Sequence, residues 1–277
     1  MIAGMMLAFA AATMQQQEVI WRGDLSTGQQ MAVGNIVGDI RIEATSGRRA
    51  EVTATKRAGR RGDPEDVEIR AEETSDGVRI CVRYPSDAWQ RGEGWRCGDR
   101  HSGNNRGHQN DTRVDFVIRL PQGVRLDATT ISGDIDARGL AADADVTTVS
   151  GQVIVDGFTG DELHARTVSG DVDLRNIRGR RVEGETVSGN VSYEGPVDRQ
   201  GSYDFKSLSG RVLVALPEGS DADLRASTFS GRIRFPEVAL SNVNMRRHNR
   251  ASARIGEGGA SLSMESFSGD VEVRVGR

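Results

Sequence analysis

Apolar and polar residues alternate along most of this chain, and from Thr130 onward one phrase punctuates the alternation. "TISGDIDA" begins at Thr130, "TVSGQVIV" at Thr148, "TVSGDVDL" at Thr167, "TVSGNVSY" at Thr186, "SLSGRVLV" at Ser207, "TFSGRIRF" at Thr228 and "SFSGDVEV" at Ser266. Period-two alternation belongs to strands, so the pattern predicts an all-β protein. The repeated glycines, Gly133, Gly151, Gly170, Gly189, Gly210, Gly231 and Gly269, are separated by 18, 19, 19, 21, 21 and 38 residues. A fixed period near twenty marks a solenoid, whose units bury their apolar faces only by stacking. The last gap reads as two units, which predicts a coil lacking the phrase between Ser252 and Met264.

Parity then assigns faces. Ile131, Val149, Val168, Val187, Leu208, Phe229 and Phe267 stand four residues before Ile135, Val153, Val172, Val191, Val212, Ile233 and Val271. On one continuous strand both sets point the same way, so both are expected in the core. The glycines between them permit a bend or close approach of neighbouring coils. Ser132, Ser150, Ser169, Ser188, Ser209, Ser230 and Ser268 are expected as an outward ladder able to bond along the stack or to backbone. A second alternating segment precedes each phrase, with Leu163 and Val182 as apolar positions, and successive coils are expected to stack as parallel strands.

Upstream the pattern is looser. "MAVGNIVGDIRIEA" from Met31 carries an early version of the phrase at Val37 to Ile40, and further alternating segments include two joined at Ser75-Asp76-Gly77. They predict an antiparallel cap on the first coil, which protects edge groups that would otherwise invite aggregation. Leu120-Pro121 and Leu216-Pro217, each followed by a glycine one residue later, predict equivalent turns.

Composition agrees with many short strands and tight turns: 34 glycines, 6 prolines and few aromatics in 277 residues. The net charge of -4 gives no nucleic-acid footprint, although all but Lys56 and Lys206 of the 36 basic residues are arginine. Residues 1–17 have the apolar run and small residues of a signal peptide, without the usual basic start. No later segment has the roughly 20 apolar residues of a membrane span. For an exported protein, Cys81 and Cys97 are read as one disulfide closing a short loop. A zinc site using them with His101 and His108 would have no common ligand spacing.

The repeated serine lacks the glycine two residues before it that a nucleophile elbow needs, and no histidine recurs with it. Catalytic, cofactor-binding and metal residues are therefore expected to be none. The pairs Asp134 and Asp136, Asp171 and Asp173, and Asp270 and Glu272 share an outward face, which keeps open a glycan-active enzyme or calcium binding. Gln152, Asn190, Arg211 and Arg232 fill the same column in other coils, so solvated surface is the default reading. Arg22-Gly23-Asp24 and Arg61-Gly62-Asp63 are discounted as chance tripeptides in a chain of this composition.

The serial "TVSGDV" phrases, the early "GNIVGDIRI" and the "VxLPxG" turn resemble the bacterial putative-adhesin family of unknown function, also called the toastrack-like β-solenoid family. The resemblance covers roughly Gly34 to Val275. It implies an extracytoplasmic, non-enzymatic β-solenoid, periplasmic, secreted or at the cell surface; some relatives are associated with envelope-stress signalling. The expected organisation is a signal peptide at 1–17, a β-rich cap at 18–115 with the cysteine-bounded loop, and a parallel β-helix or β-solenoid at 116–277 with about 19–21 residues per coil. Expected partners are a surface glycan, a peptide or another envelope protein.

Overall fold

The computed structural model describes residues 17–84, 110–236, 240–246 and 249–276. All of the proposed signal segment but Gln17, together with Cys97, His101 and His108, lies outside them. The first part of the chain supplies β1 (Gln17–Asp24), β2 (Gln30–Gly34), β3 (Ile40–Thr45), β4 (Arg49–Arg57), β5 (Glu68–Thr74), β6 (Gly77–Arg83) and β7 (Arg113–Pro121). Five coils of two strands each follow: β8 (Arg125–Ser132) with β9 (Ile135–Arg138), β10 (Ala144–Ser150) with β11 (Val153–Phe158), β12 (Glu162–Ser169) with β13 (Val172–Ile177), β14 (Arg181–Ser188) with β15 (Val191–Glu194), and β16 (Ser202–Ser209) with β17 (Val212–Pro217). The chain then forms β18 (Ala222–Thr228), β19 (Ile233–Arg234), β20 (Leu240–Arg246), β21 (Arg250–Ile255), β22 (Ala260–Ser268) and β23 (Val271–Gly276).

These strands make two sheets that enclose one core. One runs β1-β4-β7-β3-β9-β11-β13-β15-β17-β23-β19, and the other β20-β21-β18-β22-β16-β14-β12-β10-β8-β2-β6-β5. The repeated phrase is the corner where the chain passes between them. Apolar residues from both sheets fill the interior: Leu163, Val172, Leu174, Val191 and Val212 are fully buried. Tyr193 packs against Tyr203 and Phe205 with ring centroids 5.8 and 4.9 Å apart. The hydroxyls of Tyr193 and Tyr203 donate to the Pro196 and Gly179 carbonyls at 2.7 and 2.8 Å, so these large side chains bury area without leaving a polar atom unpaired.

Space and sequence part company at both ends. Ser266 to Ser268 pair in register with Ser207 to Ser209, so β22 lies directly on β16 and separates it from β18. Likewise β23 lies between β17 and β19. Among the described residues the long glycine gap therefore contains no lost coil of the stack. Its middle is the antiparallel hairpin β20–β21, which covers β18 on the outer edge, and Ser252 lies within that hairpin. The N-terminal end repeats the device: β2 and β3 sit between β8 and β9 on one side and β6 and β7 on the other. Antiparallel β5, joined to β6 at the expected Ser75-Asp76-Gly77 turn, and antiparallel β4 and β1 complete the cap. The two Pro-Gly turns are equivalent: Gly123 and Gly219 have φ of +83° and +80° at the end of a strand of the same sheet, the left-handed position that favours glycine.

Candidate functional site

The threonine that opens each phrase points inward. Thr130, Thr148, Thr167, Thr186, Ser207, Thr228 and Ser266 are all buried, and each hydroxyl donates to a glycine carbonyl one rung away. Thr167 Oγ1 reaches Gly151 O at 2.9 Å, Thr186 reaches Gly170 at 2.9 Å and Ser207 reaches Gly189 at 2.8 Å. At the C-terminal end Ser266 bonds Gly210 and Thr228 bonds Gly269, so these contacts record the insertion of the last rung. A buried hydroxyl without a partner would cost about 1–3 kcal/mol; here the whole column is satisfied.

The glycines meet a second requirement. A Cβ on Gly170 would stand 2.0 Å from Gly151 O, and one on Gly189 would stand 1.9 Å from Gly170 O. Their φ values, +144° and +151°, also lie where side chains are strained. The next residue ties the rungs together on the outside. Asp171 Oδ1 accepts the Asn190 amide at 2.7 Å, Asn190 Oδ1 accepts the Arg211 amide at 3.0 Å, and Asp134 and Asp270 accept the Gln152 and Arg232 amides at 2.8 and 2.9 Å. The Arg232 amide, assisted by Arg234 and Arg232, holds the Asp270 carboxyl below the usual carboxylate range.

The residue between threonine and serine corrects the parity assignment. Ile131, Val149, Val168, Val187, Leu208, Phe229 and Phe267 are 41–71% exposed, not buried. Alternation fails here because the phrase is not one strand: β12 ends at Ser169 and β13 begins at Val172. The corner breaks parity, so the core partner of Val172 is Thr167, five residues back. Side chains at Val168 and Ser169 both point out. The serines do form an exposed ladder, but the hydroxyls hydrogen-bonded to the stack are the buried ones.

The paired carboxylates hold the scaffold rather than an open site. While the first member of each pair accepts a backbone amide, the second pairs with the arginine two residues on. Asp136 binds Arg138 at 2.8 Å, Asp173 binds Arg175, and Glu272 binds Arg274 at 2.7 Å. Among the described residues no three His, Cys, Asp or Glu side chains converge as a metal site. The tripeptides are also engaged: Arg22 pairs with Glu51, and Asp63 accepts the Glu65 amide at 3.0 Å as the N-cap of a single 3-10 turn, Pro64–Asp66.

A cleft of about 740 Å³ opens where the ends of β13, β15, β17 and β23 meet the segment after β19. Ala215 and Leu216 help form its wall, Phe235 and Pro236 close one side, and Arg178, Arg234 and Arg274 bring positive charge against Glu194 and Glu272. Arg234 and Arg274 are paired with Asp270 and Glu272 at 2.9 and 2.7 Å. Arg178 has no carboxylate at ion-pair distance among the described residues. Sequence reading misses this cleft because it depends on coil ends distant in the chain.

Rungs of this construction match a known sequence model, Toastrack DUF4097, over residues 122–274, more than half the chain. The chain belongs to that family. Among solved structures, this toastrack chain is similar to a putative cell adhesion protein from Clostridium sporogenes, with 11% identity, a TM-score of 0.41, and coverage of 94% of this chain and 99% of that one. It is also similar to a putative adhesin from Bacteroides fragilis, with 8% identity, a TM-score of 0.43, and coverage of 94% and 97%. No curated protein matches it. No helix among the described residues is long and apolar enough to cross a membrane.

Proposed function

We propose that this toastrack protein is a non-enzymatic, extracytoplasmic interaction protein of the cell envelope, adhesin-like in role, which offers its long regular surface to a glycan, peptide or protein. The observation that carries this reading is the use made of the repeated phrase. Its threonine, glycine and aspartate serve coil-to-coil contact, and its second carboxylate is neutralised by arginine. Seven copies of a stacking device build a surface; they assemble no nucleophile with a base. Export is supported by the apolar N-terminal run, and a Cys81–Cys97 disulfide suits that compartment. Half-buried Cys81 lies on β6, which would anchor one end of such a link.

The cleft beside Phe235 is the proposed contact for a carboxylated ligand, because an aromatic face and the Arg178 guanidinium recognise an acidic sugar or acidic side chain together. The test is a panel of neutral and acidic cell-wall and extracellular polysaccharides, followed for retention and for new reducing or unsaturated ends. Retention of acidic polymers without cleavage, weakened by Arg178→Ala and Phe235→Ala, is expected. Cleavage abolished by Asp171→Asn in a folded protein would overturn the non-enzymatic reading in favour of a glycan-active enzyme.

A further inference from the structure

The corner residues turned outward form one continuous apolar stripe. In spatial order it runs from Ile36 through the five central coils to Phe267 and then Phe229, because Ile36 precedes the bridge of Val37 to Ser132 and β22 lies between β16 and β18. Eight rungs at strand spacing make it about 34 Å long. Its members are 37–71% exposed, and the Phe229 and Phe267 rings stack with centroids 4.7 Å apart and planes 4° from parallel. Half-exposed side chains of this size present on the order of 700 Å² together. That exceeds the ~300–600 Å² of the largest patch on an ordinary monomer and approaches the ~800 Å² that each partner gives a standard interface.

From this stripe we infer that the protein forms an antiparallel homodimer, with the stripes of two copies face to face across a two-fold axis between Val168 and Val187. Three features select a second copy in this orientation. Reversal sets the small end against the large one, so Ile131 meets Phe267 of the partner subunit and Ile36 meets Phe229 of the partner subunit. A parallel pair would place the protruding phenylalanines on each other. Reversal also brings the same flank of each copy together, and the column beside the stripe reads Arg166, Glu185, Lys206 and Glu265 along the rungs. Arg166, paired within its own chain with Glu183 at 2.9 Å, then faces Glu185 of the partner subunit twice across the axis. Glu185 is itself paired with Lys206 of its own chain at 3.3 Å, so the rim gains long-range attraction between opposite charges rather than a first partner for either. On the far flank, the uncharged serine ladder adjoins the stripe; beyond it Asp39 faces Arg232 of the partner subunit, whereas Asp134 faces Asp270 of the partner subunit. The last pair is held back from the contact by the hydrogen bonds of both carboxylates to backbone amides of their own chain.

Mass measurement by light scattering and sedimentation, from nanomolar to submillimolar protein, tests this directly. Twice the chain mass is expected, with the dissociation constant raised about tenfold or more by Val168→Asp. Phe267→Ser should weaken the dimer as well, while circular dichroism and thermal unfolding stay those of the parent, since both side chains are exposed. Orientation is read with a short thiol cross-linker and the parent chain as control. Mixed Ile131→Cys and Phe267→Cys proteins should link, whereas neither should link to itself, its own positions lying five rungs apart. A monomer at every concentration, or a dimer indifferent to both stripe variants, overturns the inference; self-linking of Ile131→Cys overturns the antiparallel arrangement.

Discussion

The five central coils and the two ends of the solenoid are built from the same rung but ordered by different rules. In the centre, neighbours in sequence are neighbours in space, as β10, β12, β14 and β16 show. At each end the terminal rung is inserted one place inward, β2–β3 beneath β6–β7 and β22–β23 beneath β18–β19. The Thr-x-Ser-Gly phrase therefore specifies how any two rungs join, not which two. Ser266 uses Gly210 as readily as Thr186 uses Gly170. Insertion clamps both end segments of the stack between two neighbours, where single-sided terminal strands would fray. Antiparallel β5, β4, β1, β21 and β20 cover the outer rungs instead, except at two-residue β19, which ends its sheet.

The centre is where a single substitution does most damage. Val172→Asp buries a carboxylate among fully buried neighbours and should cost on the order of 3–5 kcal/mol or more. Chemical denaturation should show an unfolded or severely destabilised protein; a midpoint equal to the parent would refute the inward assignment. Hydrogen exchange resolves the C-terminal end more finely. Amides of β22 and β23 should be protected like those of β16 and β17, while the β20–β21 hairpin exchanges on the order of a thousandfold faster. Equal protection of hairpin and inserted rung would contradict the clamped arrangement.

A smaller effect separates the two kinds of glycine. Gly170→Ala meets both the Gly151 carbonyl and an unfavourable φ, and should lose about 3 kcal/mol. Gly219→Ala meets nothing within 4 Å and should lose only about 1–2 kcal/mol, the cost of its left-handed backbone. Thermal unfolding of the two variants side by side decides this. Thr167→Val removes the buried donor to Gly151 and should cost about 1–2 kcal/mol; an unchanged melting temperature would mean that the hydroxyl column contributes nothing.

Acid gives the mildest perturbation. Hydrogen bonding to Arg180 lowers Asp161, that to Arg254 lowers Asp223, and the Arg232 amide lowers Asp270. A carboxyl depressed on folding contributes stability above its unfolded value, near 4, and loses it as pH falls through the folded value. Unfolding midpoints should therefore be flat above about pH 5 and decline below about pH 4. Asp270→Asn keeps an acceptor without the titration and should flatten part of that decline; an identical acid limb would remove Asp270 from the account.

Much of the rung is legible in the amino-acid pattern. Alternation marks Val153, Val172 and Val191 as core, and the period announces coils joined at a glycine. The same alternation misplaces Val168, because parity holds only within a strand and Gly170 turns a corner. The carboxylate pairs are recognisable as surface, but their hydrogen bonds to backbone amides of the adjoining coil are not, since those partners lie about nineteen residues away. Neither the Phe235 cleft nor the continuity of the apolar stripe has a local sign, for each is assembled from several coils.

The rung itself follows from the chain alone: its length, its buried valines, the glycine that lets coils approach, and the all-β class; the buried threonine that ties each rung to the next is seen only in the folded stack. These are consequences of side-chain chemistry repeated at short range. The order of the rungs, and the choice of which corner residues face water, are settled only when the coils come together. Every rung presents nearly the same interface, so competing orders differ locally by little, and the choice falls to how the chain's ends can be covered.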